Sequence, residues 1–351
     1  ARPRLMPDLD SSDGTGILSR SRKHHDMPSP IPPRGVLPFM ERNLLLLMIA
    51  VALALAVVLP GPGITMKALG FSGPITFLVF LLQGLSIDLG NFARGGKIIP
   101  LFLWGFVLAY VLAPLLGYAC SAAFGLKNDD LVGFLLICSM TPTIASGVIV
   151  SGRAGGEKAT AVALTVVLML TGMAVIPFTL RILLARAVEL KVADLARQLV
   201  FTVLVPTILG QAIRLILPGL MDRPAVRRID KDAPAVMIGL TIYISLAPQA
   251  DRLGAVSAVK LLILAAASLA VHGALLAGGY LVSRKVLAID RPKSLSVAFV
   301  CSQKSLALGA PIWGSLFAAA FPLAILPLVI FHALQLFLDG FLATRAARAP
   351  S

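Results

Sequence analysis

CSMTPTIASG, residues 138–147, and CSQKSLALGAP, residues 301–311, each interrupt a long apolar run with hydroxyls, a proline and a glycine. The runs that contain them, 130–151 and 294–315, are long enough to enter a bilayer, so the reading is of two membrane helices broken part-way through. Broken backbone at that depth is tolerated only where protein or water satisfies its polar groups. Interrupted helices at matching positions of two halves are the sequence feature that points to a transporter binding site.

Working outward, apolar segments occur near 43–60, 73–90, 98–124, 130–151, 158–184, 197–217, 234–249, 255–283, 294–315 and 317–343. One bilayer crossing takes about 20 residues. Ten segments divide as five and five, with the breaks in the fourth and the ninth. PGPG at 60–63, ARGGK at 93–97, GLKNDD at 125–130, GRAGGEK at 152–158 and RPAVRRIDKD at 223–232 separate them. Segments 98–124 and 317–343 exceed one bilayer thickness and must tilt, kink or protrude. The expected division is a disordered basic cytoplasmic tail over 1–42, a first five-helix unit over 43–184, an interfacial linker over 185–196 and a second unit over 197–347.

Composition agrees. Of 351 residues 58% are hydrophobic and only 14% charged, with mean hydropathy +0.90, whereas soluble domains carry about 25% charged residues. Collagen-like, disulfide-scaffold and wholly disordered classes are excluded by the same figures. The net charge of +14 reads as topology: the basic residues outside the membrane divide 22 to 8 between the two sides, and the richer side, with both termini, is assigned to the cytoplasm. No nucleic-acid motif accompanies the charge. In the tail, Asp8, Asp10, Asp13 and Asp26 argue against a transit peptide, and His24-His25 belongs to the tail rather than to a metal site. Cys120, Cys138 and Cys301 all fall in apolar segments as small buried hydrophobes.

Lys304 is the sharpest chemical signal, a basic residue about eleven positions from the nearest loop and too deep to snorkel. An ammonium at mid-bilayer costs about 2.5–3.5 kcal/mol on insertion scales, so it faces a cavity or a partner, or it is neutral. Ser302, Gln303 and Ser305 flank it. Around Pro142, Ser139, Thr141, Thr143 and Ser146 form a hydroxyl cluster, although any single hydroxyl can simply bond back to the preceding turn. Thr160, Thr165 and Thr171 rank lower. Asp88, near Gln83, is either a solvated helix-end carboxylate or the counter-ion of Lys304. His332 and Gln335 share a helix face at i, i+3, which suits a packing hydrogen bond better than a proton relay. His272 is assigned no role, and Asp339 is expected to pair with Arg345 or water. There is no Walker loop, HExxH or GxSxG, so an enzyme is not expected.

CSMTPTIASGVIVSGRAGGEKATA, FVCSQKSLALGAPIWGSLF and LPLVIFHALQL resemble the bile acid:sodium symporter superfamily, most closely its SBF-like branch of sodium/bile acid cotransporter-type proteins. The likeness covers roughly 43–347. It implies an all-α integral membrane fold of ten transmembrane helices as two inverted five-helix repeats, with broken crossing helices 4 and 9 and panel and core domains. It also implies sodium ligands at Ser146, Thr160 and Gln303. The chain departs from that pattern: Gly147 replaces an asparagine, Leu164 a ligand threonine, Phe299 an acidic residue and Lys304 another asparagine. No firm metal site is therefore expected, only a degenerate sodium site with Lys304 standing in for the ion.

The resulting expectation is a secondary active transporter of a small organic, anionic solute working by alternating access. Sodium symport is doubtful and proton-coupled or uncoupled transport favoured. The alternative is a ligand-binding membrane regulator or receptor on the same scaffold without net transport. No cofactor is expected beyond a coupling ion, H+ or Na+. The expected partners are the solute and the lipid bilayer, with no nucleic acid. The expected location is the plasma membrane, with a plastid envelope as the alternative.

Overall fold

The computed structural model describes residues 44–87, 99–143, 145–185 and 190–348. All regular structure among the described residues is helical, with no strand. α1 (Leu44–Val58) ends at Leu59, and α2 (Pro60–Ala68) leaves it at 97°. PGPG was expected to be a connecting break. Pro60 instead starts a second helix, because its fixed φ and missing N–H suit a first helical position and not an interior one. α3 is Ser72–Ser86 and α4 is Ile99–Ala123, with a π turn at Leu108–Leu112.

The first interrupted segment forms α5 (Asn128–Cys138) and α6 (Ala145–Arg153). α7 is Lys158–Leu184 and α8 is Val192–Ile216, so a helix begins within the stretch expected to be a linker. α9 (Pro224–Leu253) overturns another expected break. The charged run 223–232 forms its first turns, with Pro224 at the N-terminus and Arg228 3.9 Å from Asp232 one turn on. A polar helix end projecting past an apolar one needs no loop. α10 is Ala258–Lys285. The second interrupted segment forms α11 (Arg291–Ser302) and α12 (Leu306–Ile312), followed by a π turn at Trp313–Phe317. α13 runs from Ile325 to Arg348; its expected start at 317 is displaced because residues 318–324 form turns ahead of it.

Among the described residues, and taking α11, α12 and the π turn as the single run Arg291–Phe317, seven helical runs are long and apolar enough to cross a membrane, or eight if the bent α1–α2 pair counts as one span. Val58, Ile182, Ile216, Val286 and Phe337 are all at least 70% exposed. Apolar side chains so exposed on so many helices need a lipid solvent, since in water they would form an aggregating surface. Inside, α1, α3, α8 and α9 pack on one another, while α4, α5, α6, α7, α10, α11 and α13 form a second group. α12 touches both groups, packing against α3 and α9 on one side and α5 and α13 on the other. The two breaks thus lie at the seam.

Candidate functional site

Where α5 ends, residues 139–143 are unwound, and Gln303–Ser305 run extended between α11 and α12. Pro142 removes a helical donor at the first break. The two breaks then satisfy each other: Ser305 N donates to Thr141 O at 3.0 Å. Ser305 also caps α12, its Oγ accepting from Leu308 N at 3.3 Å. The remaining backbone groups of the second break are met from neighbouring helices, as burial requires. Lys304 N donates to Gln335 Oε1 at 2.8 Å, and Gln335 Nε2 donates to Lys304 O at 2.9 Å. Gln335 therefore reads the lysine backbone with both ends of its amide. His332 Nδ1 lies 3.0 Å from the same Lys304 O and 2.7 Å from Gln335 Nε2. The i, i+3 face expected of His332 and Gln335 is directed at the Lys304 backbone.

The Lys304 side chain is fully buried. Its Nζ donates to Ala109 O at 2.7 Å and to Met140 O at 3.2 Å. Each acceptor has a structural origin. Ala109 lies in the π turn of α4, where one inserted residue disturbs the i→i−4 ladder. Met140 follows the C-terminus of α5, where helix carbonyls have no partner and the dipole favours a cation. Tyr110, next in the π turn, donates its hydroxyl to Leu168 O and ties that turn to α7. Asp88, the expected counter-ion, lies outside the described residues. Gln83 is buried and lines, with Thr141, Pro142 and Ser305, a cavity of about 10 Å3 beside the break.

Gln303 organises a second cluster. Its Oε1 accepts from Ser146 Oγ at 2.8 Å and also from the Thr143 hydroxyl. Ser146 Oγ lies 2.7 Å from Thr143 Oγ1. Gly147 sits against this cluster, and a Cβ there would lie 3.5 Å from Gln303 Oε1. On its other side, Gln303 Nε2 donates to Asp339 Oδ2 at 2.7 Å. Asp339 Oδ1 lies 2.8 Å from His272 Nε2, and His272 Nδ1 lies 3.3 Å from Ser302 O.

Asp339 and His272 are corrections to the sequence reading. Asp339 is fully buried inside the bundle and not at its surface, and Arg345 stacks on Phe341 at 4.2 Å instead. His272, assigned nothing, is its partner. A signal existed: His332, Gln335 and Asp339 are spaced i, i+3, i+7, one continuous polar face on an apolar helix. The reciprocal face on α10 carries one histidine and gives no such pattern. Ser302 contributes its carbonyl, while its buried hydroxyl has no partner among the described residues.

Other predicted residues lie apart. Thr160, expected with Ser146 and Gln303, instead donates its hydroxyl to Glu157, three residues earlier at the start of α7. Thr165 bonds back to Ala161 O at 2.8 Å and Ser139 to Leu135 O at 2.7 Å, the local alternative for helix hydroxyls. Phe299 and Leu164 are buried hydrocarbon, so neither offers the oxygen that the resemblance places there.

With this geometry in view, comparison with known proteins is specific. The chain is 29% identical over 277 residues to an uncharacterized protein of Pseudomonas aeruginosa, covering 77% of this chain and 82% of that one. It is 26% identical over 320 residues to the probable sodium/metabolite cotransporter BASS4, chloroplastic, of Arabidopsis thaliana, covering 88% and 73% respectively. It is 24% identical over 295 residues to sodium/bile acid cotransporter 7 of Danio rerio, covering 80% and 84%. The sequence pattern of a transporter family matches residues 43–348, which include both breaks, Lys304 and the whole Gln303 cluster. The chain is a membrane transporter of the bile acid:sodium symporter superfamily and belongs to the SBF-like CPA transporter family.

Proposed function

We propose that this transporter carries a small organic anion by alternating access, with Lys304 occupying the place of a coupling cation. In this reading the ten apolar segments are ten crossings arranged as two inverted five-helix repeats. The group containing Lys304 is the one that moves against α1, α3, α8 and α9. The observation that carries the reading is the pair of hydrogen bonds from Lys304 Nζ to Ala109 O and Met140 O. Carbonyl oxygens at unwound backbone and at half-helix C-termini are what a transporter uses to hold sodium. Here an ammonium already receives them.

The Gln303 cluster supports the same view. Thr143, Ser146 and Gln303 bring three oxygens together. The carboxylate bonded to Gln303, that of Asp339, is engaged with Gln303 Nε2 and His272 and not with those oxygens. A site lacking a free carboxylate and flanked by a fixed positive charge is poor for sodium. Coupling to protons, or none, follows. The cotransport of sodium named for the Arabidopsis and Danio proteins is the competing reading.

Thermal melting of the purified protein in sodium against potassium chloride, across pH 5–9, tests the substitution. A ligand that binds only the folded state raises the melting temperature. Sodium is expected to leave the wild type unmoved and to stabilise Lys304→Ala. Selective stabilisation of the wild type by sodium would overturn the reading. Flux of labelled organic anions into vesicles containing only this protein tests transport itself, and binding without flux would point to a receptor.

A further inference from the structure

Away from the breaks, three helix ends of the Lys304-bearing group converge at one end of the bundle: the C-terminus of α10, the N-terminus of α11 and the C-terminus of α13. Leu295 of α11 and Ala343 of α13 are buried together there, with Tyr280 of α10 packed against them. Arg291 Nη2 donates to Ala346 O at 2.7 Å, joining the start of α11 to the last turns of α13. Arg284 Nη1 donates to Ile289 O at 2.7 Å across the turn between α10 and α11. Besides these two arginines, the three ends carry Lys285, Lys293, Arg345 and Arg348. The acids beside them are engaged, Asp290 with Lys293 at 2.9 Å and Glu157 with the Thr160 hydroxyl. Lys285, Arg345 and Arg348 are exposed and make no ion pair among the described residues.

The basic run that starts α9 is built differently. There Arg227 lies 3.9 Å from Asp222 and Arg228 lies 3.9 Å from Asp232, so that run carries its own acids. The cations of α13 instead continue an apolar surface. Phe337, Phe341, Arg345 and Arg348 are spaced i, i+4, i+8 and i+11 and share one face of the helix. Phe337 is 70% and Phe341 50% exposed, and the Arg345 guanidinium lies 4.2 Å from the centre of the Phe341 ring. α10 repeats the order, with exposed Leu281 one turn before exposed Lys285. Each stripe passes from hydrocarbon to cation toward the helix end, the order in which a lipid presents its acyl chain and its headgroup.

A cationic face continuous with an exposed apolar stripe selects an amphiphile with a negative head. Lysines and arginines at a membrane surface attract anionic lipid, each adding to the attraction, and basic clusters between membrane helices bind lipid headgroups. A soluble anion meets the charge but gains nothing from Phe337 and Phe341. A zwitterionic lipid gains the apolar contact but brings a cation of its own. Arginine suits a phosphate in particular, because its planar fork matches two phosphate oxygens. We infer that this face is a binding site for an anionic phospholipid, the phosphate held by Arg345 and Arg348 and an acyl chain laid along Phe341 and Phe337, with Lys285 adding to the positive field. The lipid is a partner distinct from the transported solute, and the site stands whatever ion drives transport.

The test titrates purified protein in a neutral detergent with dioctanoyl phosphatidylglycerol, dioctanoyl phosphatidylcholine or inorganic phosphate. Binding is read as a rise in melting temperature and, independently of stability, as lipid adducts in native mass spectrometry. Phosphatidylglycerol is expected to act saturably at concentrations at least tenfold below phosphatidylcholine, and inorganic phosphate to have no effect over the same range. Arg345→Gln/Arg348→Gln should raise the phosphatidylglycerol concentration required tenfold or more, while Arg345→Lys/Arg348→Lys keeps most of the response. Arg227→Gln/Arg228→Gln, at the start of α9, should leave it unchanged. Equal potency of the two lipids, or an unaltered titration in Arg345→Gln/Arg348→Gln, overturns the inference. An equal response to inorganic phosphate would make this a site for soluble anions, and equal weakening by Arg227→Gln/Arg228→Gln would reduce it to the diffuse attraction of any basic surface. Either result removes the lipid site.

Discussion

His272 and Asp339 face each other 2.8 Å apart with both side chains buried. They come from α10 and α13, 67 residues apart in sequence. Ser302 O can only accept, so His272 Nδ1 carries a proton toward it. One further proton is then shared between His272 Nε2 and Asp339 Oδ1. Whether it resides on nitrogen or oxygen, the pair is neutral as a unit, which is what burial beside lipid demands.

Removing one member strands the other. Asp339→Ala should cost roughly 3–5 kcal/mol, because His272 and the Gln303 amide both lose their acceptor. The double variant His272→Ala/Asp339→Ala should cost clearly less than the sum of the single losses, since the two act in one network. Unfolding in mixed micelles measures this, and strict additivity would show that the contact has no energetic weight.

The Lys304 pocket admits a linear ammonium and little more. Lys304→Arg adds volume and a planar fork to a fully buried site. It is expected to destabilise by about 1–3 kcal/mol through overpacking, despite keeping the charge. A melting temperature equal to that of the wild type would mean that the site is roomier than its burial indicates.

α3 and α8 approach through a matched pair of glycines. A Cβ at Gly84 would lie 2.3 Å from Thr207 O, and one at Gly210 would lie 2.2 Å from Leu81 O. Small residues are what let membrane helices touch backbone to backbone. Gly84→Ala and Gly210→Ala should each cost about 1–3 kcal/mol. The double variant should cost less than the sum, because the helices need separate only once. Differential scanning fluorimetry of the three proteins distinguishes these outcomes.

The Tyr243 hydroxyl donates to Leu59 O at 2.7 Å and accepts from Gly63 N at 2.9 Å. Tyr243→Phe removes these two hydrogen bonds at the α1–α2 bend while leaving the ring in place. Its cost is expected near 1–3 kcal/mol, two bonds of about 1 kcal/mol with one amide left partly unsatisfied. Hydrogen exchange should rise in α2 and stay unchanged in α13. Faster exchange in both would mean a general loss of structure instead of a released bend.

Much of the architecture is written locally. A run of some twenty apolar residues forms a helix in lipid whatever its neighbours do, since its backbone has no other partner. Helices therefore lie at each of the ten apolar segments, and Lys158–Leu184 matches its expected span to the residue. The breaks were equally legible, because Pro142 and the polar run 302–305 act on their own turns. Helix ends were less so. PGPG and RPAVRRIDKD carry loop composition, yet both enter helices, since a proline at a first helical position is neutral and charges outside the apolar span cost little.

The candidate site divides along the same line. That Lys304 must be buried and compensated followed from its depth alone, and the shared face of His332 and Gln335 followed from helical spacing. The identity of the compensation did not. Ala109 O and Met140 O are backbone groups, identical in every residue, and only the meeting of a π turn with a broken helix makes them available to an ammonium. Thr160 illustrates the reverse, a residue of suitable chemistry captured by Glu157 one turn away. Asp339 was expected to pair with Arg345 or water because burial is a property of the packed bundle and not of a residue's own neighbours. Which segments enter the bilayer, and which polar groups have to be answered inside it, follows from local composition and hydration energetics. Which groups answer them is a matter of contacts between residues far apart in the chain, and those exist only once the helices have packed.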